Sequence, residues 1–139
     1  MRFAAISFFL MFNILYATAK TATMKASTLD GTWVPVKQEM GGKPLPKEAL
    51  QQKLIIDDTA YTVVAGATDK GIIEYMGDKM DIYSKEGVNA GKHFTAIYKY
   101  ENGQLTICYN LAGNSYPEGF DTNGHPLFFL SVFEKDEKK

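Results

Sequence analysis

Residues 93–110 read HFTAIYKYENGQLTICYN. Asn102-Gly103 is the pair that a two-residue hairpin turn prefers, because both central positions of that turn take positive φ. Closing the chain there sets Glu101 opposite Gln104, Tyr100 opposite Leu105, Lys99 opposite Thr106, Tyr98 opposite Ile107, Ile97 opposite Cys108 and Ala96 opposite Tyr109. Phe94, Ala96, Tyr98, Tyr100, Leu105, Ile107 and Tyr109 then share one face. Thr95, Lys99, Glu101, Gln104 and Thr106 share the other. The first face is the one expected to be buried.

Working outward, GTWVPVKQ, KLIIDD, AYTVVAG, KGIIEYM, DKMDIYS and PLFFLSVFEK are rich in β-branched and aromatic residues and bounded by Gly, Asn, Asp or Lys. With the two strands of the hairpin they make eight candidate strands. One short helix is expected in PLPKEALQQK, where Pro46 suits a first helical position. DDTA, GATDK and MGDK are short links of the kind that join neighbouring antiparallel strands, whereas Lys85 to Lys92 and Leu111 to His125 are longer. Short antiparallel strands with no helix long enough to cover a sheet face bury their apolar sides by stacking or by closing. The up-and-down links favour closure into an eight-stranded barrel, whose interior admits side chains or one small ligand.

The N-terminus carries Met1-Arg2, an apolar run from Phe3 to Tyr16, and the small triplet Ala17-Thr18-Ala19, the pattern of a secretory signal over residues 1–19. The apolar run falls short of the roughly 20 residues a spanning helix needs, and Asn13 interrupts it. Cleavage after Ala19 would leave about 120 residues, a single domain of ordinary size. Residues 20–28 read as a disordered lead-in, 29–135 as the barrel and 136–139 as a charged tail. Arg2 is the sole arginine of the chain, so the mature net charge would be about −2, without the clustered cations that nucleic acid or an anionic membrane requires. Cys108 is the single cysteine, so no internal disulfide can form.

The segments LDGTWVPVKQEMGGKPLP, KLIIDDTAYTVVAG, KMDIYS, GKHFTAIYKYENGQLTICY and YPEGF, in that order, resemble a lipocalin-like domain family of unknown function abundant in planctomycetes and other environmental bacteria. The resemblance spans Leu29 to Phe133. It implies an exported lipocalin-like barrel in which Gly31 and Trp33 form the plug of one barrel end, and it implies no reaction. Two positions depart from the pattern. The family usually has Arg-Pro where this chain has Tyr116-Pro117, and lipocalins place an arginine of the last strand over the Trp. Lys135 is the nearest cation to that role here, and because Lys neither stacks nor forks as Arg does, Trp33 is expected to be held by apolar packing alone.

Candidate chemistry is sparse. His125 with Asp121 or Glu118, and His93 by itself, lack the close spacing of a metal site, and solvated loop positions account for them. Cys108 lies mid-strand in an apolar setting, where a free cysteine behaves as a small hydrophobe. Asp57, Asp58, Asp78 and Asp81 flank turns and read as structural. No nucleophile elbow, phosphate loop or zinc-type pair is present in the sequence. Neither catalysis nor a metal nor a cofactor is expected.

Phe94, Tyr98, Tyr100, Ile107 and Tyr109 are open to two readings, packed core or the inner wall of a ligand cavity. The expectation taken forward is a secreted or periplasmic monomer that binds a small apolar or amphipathic molecule inside the barrel. The alternative is a protein-interaction or inhibitor domain that presents the loop 111–125, with Tyr116, Pro117 and Phe120 as aromatic and turn anchors.

Overall fold

A computed structural model describes residues 29–137, so the expected signal segment 1–19 and lead-in 20–28 lie outside the described residues. The chain forms strands β1 (Gly31–Met40), β2 (Lys43–Pro44), β3 (Lys53–Asp57), β4 (Ala60–Ala65), β5 (Ala67–Met76), β6 (Lys79–Glu86), β7 (His93–Glu101), β8 (Gln104–Asn110) and β9 (Phe128–Lys135). The two-residue β2 folds back on the end of β1, and from β3 onward each strand pairs antiparallel with the next. β9 then returns to β1, from Trp33 opposite Lys135 to Met40 opposite Phe129, and the sheet closes. The result is an eight-stranded antiparallel up-and-down barrel. GATDK, expected as a link, is instead strand: β5 begins at Ala67 and only Gly66 turns between it and β4, because Val63, Val64 and Ala65 keep pairing with Asp69, Thr68 and Ala67.

The helix expected after Pro46 is a single 3-10 turn, Lys47–Ala49, with Pro46 as its N-cap. None of its residues is buried, and an isolated turn with no packed face has nothing to carry it past the cost of helix nucleation. The hairpin keeps every expected pair from Glu101 with Gln104 to Ala96 with Tyr109. Asn102 and Gly103 both take positive φ, 53° and 76°. A Cβ on Gly103 would meet nothing within 4 Å, so Gly103→Val tests the backbone alone. It should destabilise the domain by about 1–3 kcal/mol, the cost of a β-branched residue held at positive φ. An unchanged urea midpoint would reject this turn geometry.

The hairpin's second face is where the structure departs from expectation. Thr95 and Thr106, expected to face solvent, are buried, and Ile97, Cys108 and Leu130 form a second apolar cluster on the outside of the barrel. The segment 111–127 covers them, packing Tyr116 and Phe120 onto that wall beside Phe128 of β9. It is fastened by polar contacts: Thr95 Oγ1 donates to the Ser115 carbonyl (2.6 Å), Asn110 Nδ2 donates to the same carbonyl (3.0 Å), and the Tyr116 hydroxyl donates to Asp81. Further along, Thr122 Oγ1 accepts from the Gly42 amide (2.9 Å) and donates to Glu39 (2.8 Å). Strands apolar on both faces are those covered on both sides.

The two barrel ends differ. The turns after β3, β5 and β7 are all tight, while at the other end only β4 to β5 turns tightly, at Gly66, and the paths from β1 to β3, β6 to β7 and β8 to β9 are longer, so one end is pinched and the other is largely surrounded by loops. Trp33 lies fully buried at the pinched end. Its indole N–H donates to the Leu29 carbonyl (2.8 Å), and Tyr100 meets its ring edge-on at 5.8 Å. The Lys135 ammonium stands 5.4 Å from the ring centroid, and its stem crosses Gly31, where a Cβ would lie 3.5 Å from Lys135 Cε. Trp33 is therefore held by a hydrogen bond and a cation–π contact as well as by apolar packing. The charged tail is also less free than expected, since the Asp136 amide donates to the Thr32 carbonyl (2.8 Å) and its carboxylate pairs with Lys53 (3.0 Å).

Candidate functional site

Inward-facing residues of the barrel's loop-rich half surround a cavity of about 510 Å³, within the range of small-molecule sites. Strand alternation supplies its wall. Leu54 of β3, Ile73 of β5, Met80 and Ile82 of β6 and Ile107 of β8 make an apolar floor toward the Trp33 end. Val88, Asn89 and Lys92 of the β6–β7 connection stand at the mouth, with Gln52 and Leu111.

One wall carries a polar group. Asp69 on β5 is 7% exposed and turns inward, two residues before Gly71. Its Oδ1 accepts from Ser84 Oγ at 2.6 Å and its Oδ2 from the Tyr61 hydroxyl at 3.0 Å. Burial pushes the Tyr61 phenol up to about 12, with the neighbouring carboxylate adding to the effect, so at neutral pH it remains a donor. On the opposite wall, buried Gln38 donates to Ser131 Oγ (3.0 Å) and reaches toward Gln52 Oε1 (3.4 Å). The cavity is thus an apolar floor under a polar collar of Asp69, Tyr61 and Gln52, while Gln38 and Ser131 lie outside its lining.

Of the five residues expected on a binding wall, Phe94, Ile107 and Tyr109 line this cavity. Burial drives the Tyr109 phenol pKa upward, so it too stays protonated. Tyr98 and Tyr100 face inward as expected but lie at the pinched end, outside the cavity lining. Tyr98 donates to the Gly77 carbonyl (3.0 Å) and packs edge-on against Tyr75 (5.9 Å), while Tyr100 packs on Trp33. Both are part of the plug layer. Their nearness to the Asn102-Gly103 turn explains why, since that turn closes the same end as Trp33.

The loop anchors are spoken for. Pro117 is buried, and Tyr116 and Phe120 are turned onto the barrel's own wall, with Lys79 and Lys99 ammonium groups 5.1 and 4.8 Å from their ring centroids. Both rings stay half-exposed, and Tyr116 also lines a surface cleft of about 850 Å³ formed by the loop itself. Asp81, read as a turn residue, lies within β6 and bonds His93 Nε2 (2.7 Å) as well as Tyr116. His93 also stacks on Tyr83 (4.6 Å), and His125 stacks on Phe128 (4.2 Å). Asp121 bonds the Asn123 amide (2.9 Å) and side chain (2.8 Å), contacts that hold its carboxyl below the usual range. Among the described residues no three His, Cys, Asp or Glu side chains gather as a metal site would need. Burial raises the Cys108 thiol to about 11, which leaves it little thiolate for nucleophilic work.

Asp69 and Tyr61 were not among the expected site residues. Asp69 sits in GATDKG, which reads as a connection, and nothing in its immediate sequence distinguishes it from a turn aspartate. The Tyr61 signal was available in principle, as an aromatic in phase with Val63 on the apolar side of β4.

No family model matches the chain, and no curated protein matches it. Two solved structures are similar to it, both point mutants of the fluorescent protein UnaG, each at 13% identity over 81% of this chain and 99% of that one, with TM-scores of 0.42 and 0.41. The barrel itself rests on its own closed strand pairing.

Proposed function

We propose that this chain is an exported lipocalin-like binding module, of the family its LDGTW and hairpin segments resemble, that holds a small amphipathic molecule in the open half of its barrel without chemical change. The observation that carries this reading is the cavity of about 510 Å³, stopped at one end by the Trp33 layer and reached from the other. A guest's apolar part would gain from area burial on the floor, and its polar part from hydrogen bonds at the collar.

The test is titration with N-phenyl-1-naphthylamine, an uncharged apolar dye that fluoresces when it leaves water. Binding at about micromolar concentration or tighter, near −8 kcal/mol, is expected. Val63 lines the cavity from β4, so Val63→Trp should fill part of it and weaken the dye by about tenfold or more. Lys70 is exposed on the neighbouring strand β5, opposite Thr62, and Lys70→Ala should leave dye binding as it was. Absence of binding by the folded protein would reject the reading, and equal effects of the two substitutions would reject this cavity as the place.

A further inference from the structure

We infer that the ligand is an amphipathic amine, its tail on the apolar floor and its cationic head against Asp69; this rests on the small-ligand reading above. Asp69 is a carboxylate buried in the cavity wall, and both of its oxygens accept hydrogen bonds, from Ser84 and Tyr61. Each oxygen keeps a further lone pair for a donor. Buried charge is costly unless it is paired. Among the described residues the ion pairs are Lys37 with Glu39, Lys53 with Asp136 and His93 with Asp81, and none of them reaches Asp69. Two neutral hydroxyls satisfy its hydrogen bonding in part and leave its charge unmatched. A ligand ammonium would supply both the missing charge and the missing donors.

The rest of the lining argues in the same direction. An acid drawn into the cavity would set like charges together at Asp69, which disfavours it, and the described residues include no arginine to clamp a carboxylate. Lys92 is the one cation on the lining, and it is exposed at the mouth, its ammonium 3.4 Å from Asn89 Oδ1. An anionic head could meet it only by staying at the rim. The two arrangements, amine at the collar and acid at the rim, are therefore separable by charge and by residue.

The experiment displaces N-phenyl-1-naphthylamine from the full-length folded protein at pH 7 with dodecylamine and dodecanoate, each below its micelle concentration, and with dodecanol below its solubility limit. Dodecylamine should displace the dye at about tenfold lower concentration than dodecanoate, with dodecanol between them. Asp69→Asn should bring dodecylamine and dodecanol level, the readout being their ratio. If that variant does not fold, the order of the three compounds on the unaltered protein still decides. Dodecanoate binding as well as dodecylamine overturns the inference, as does an amine preference that survives Asp69→Asn. A dodecanoate preference lost in Lys92→Ala would overturn it in favour of an acid at the rim. Failure of the dye itself to bind, with the fold intact, removes the small-ligand reading and this one with it.

Discussion

Replacement of Trp33 by alanine should cost about 3–5 kcal/mol of stability, the range for deleting a large buried aromatic. The side chain is fully buried, and three separate contacts end on it: the Leu29 carbonyl, the Tyr100 ring edge and the Lys135 ammonium. Truncation leaves a void at the pinched end, an unpaired Leu29 carbonyl and a lysine stem without its aromatic partner. The surrounding turns are short, so the end has little freedom to collapse into the space. Urea titration of the purified protein measures the loss. A value below about 1 kcal/mol would mean that the side chain is not packed as described and that something else closes this end. Lys135→Met should cost much less, since the alkyl stem over Gly31 is kept and only the cation–π part, about 0.5–1 kcal/mol at an exposed site, is removed.

Gly71→Ala is expected to be the second most damaging change, at about 3 kcal/mol, the upper part of the usual range for overpacking. Its Cβ would stand 2.0 Å from the Tyr83 carbonyl oxygen and 2.8 Å from Tyr61 Cε1. The tyrosine ring could shift, but the carbonyl belongs to β6, whose pairing with β5 already changes register between Lys70 and Gly71. Moving it disturbs the ladder beside Ser84. The same shift would disturb the bond from Tyr61 to Asp69, so dye binding should weaken along with stability. Gly119→Ala makes the comparison, because a Cβ there meets nothing within 4 Å and its φ is not positive. That surface change should stay within about 0.5 kcal/mol. Equal urea midpoints for the two variants would mean that β5 and β6 are not packed as closely as the distances state.

What the sequence determined by itself is whatever depends on neighbours a few residues away. Alternation marks the strands, because a side chain's face follows from its parity within the strand. The Asn102-Gly103 pair sets the register of β7 on β8 down to Ala96 with Tyr109, because two positive φ values at adjacent positions leave one way to close. A succession of short links favours neighbours in antiparallel order, and hence closure. Gly31, Trp33 and Lys135 could be named together only through a family resemblance, since they meet by pairing β1 with β9 across most of the chain.

Tertiary structure alone decided height along the barrel axis and what lies against the outer wall. Parity says that Tyr98, Tyr100, Phe94 and Tyr109 face inward, but it does not say which are plug and which are wall. That depends on where the pinched end falls, which the closing β1–β9 pairs and the irregularity between Pro35 and Lys37 establish. The outer cluster was hidden for a related reason. Ile97 and Cys108 stand among polar residues on their face, and whether they need cover depends on a segment beginning after Asn110 that folds back over them. Asp69 is the clearest case. In sequence it is an aspartate in a Gly- and Thr-bearing stretch, like many at turns, and only the meeting of β4, β5 and β6 turns it toward Tyr61 and Ser84 inside a cavity. Local patterning specifies direction because it is written in backbone geometry, whereas depth and company arise from contacts that no short stretch of chain contains.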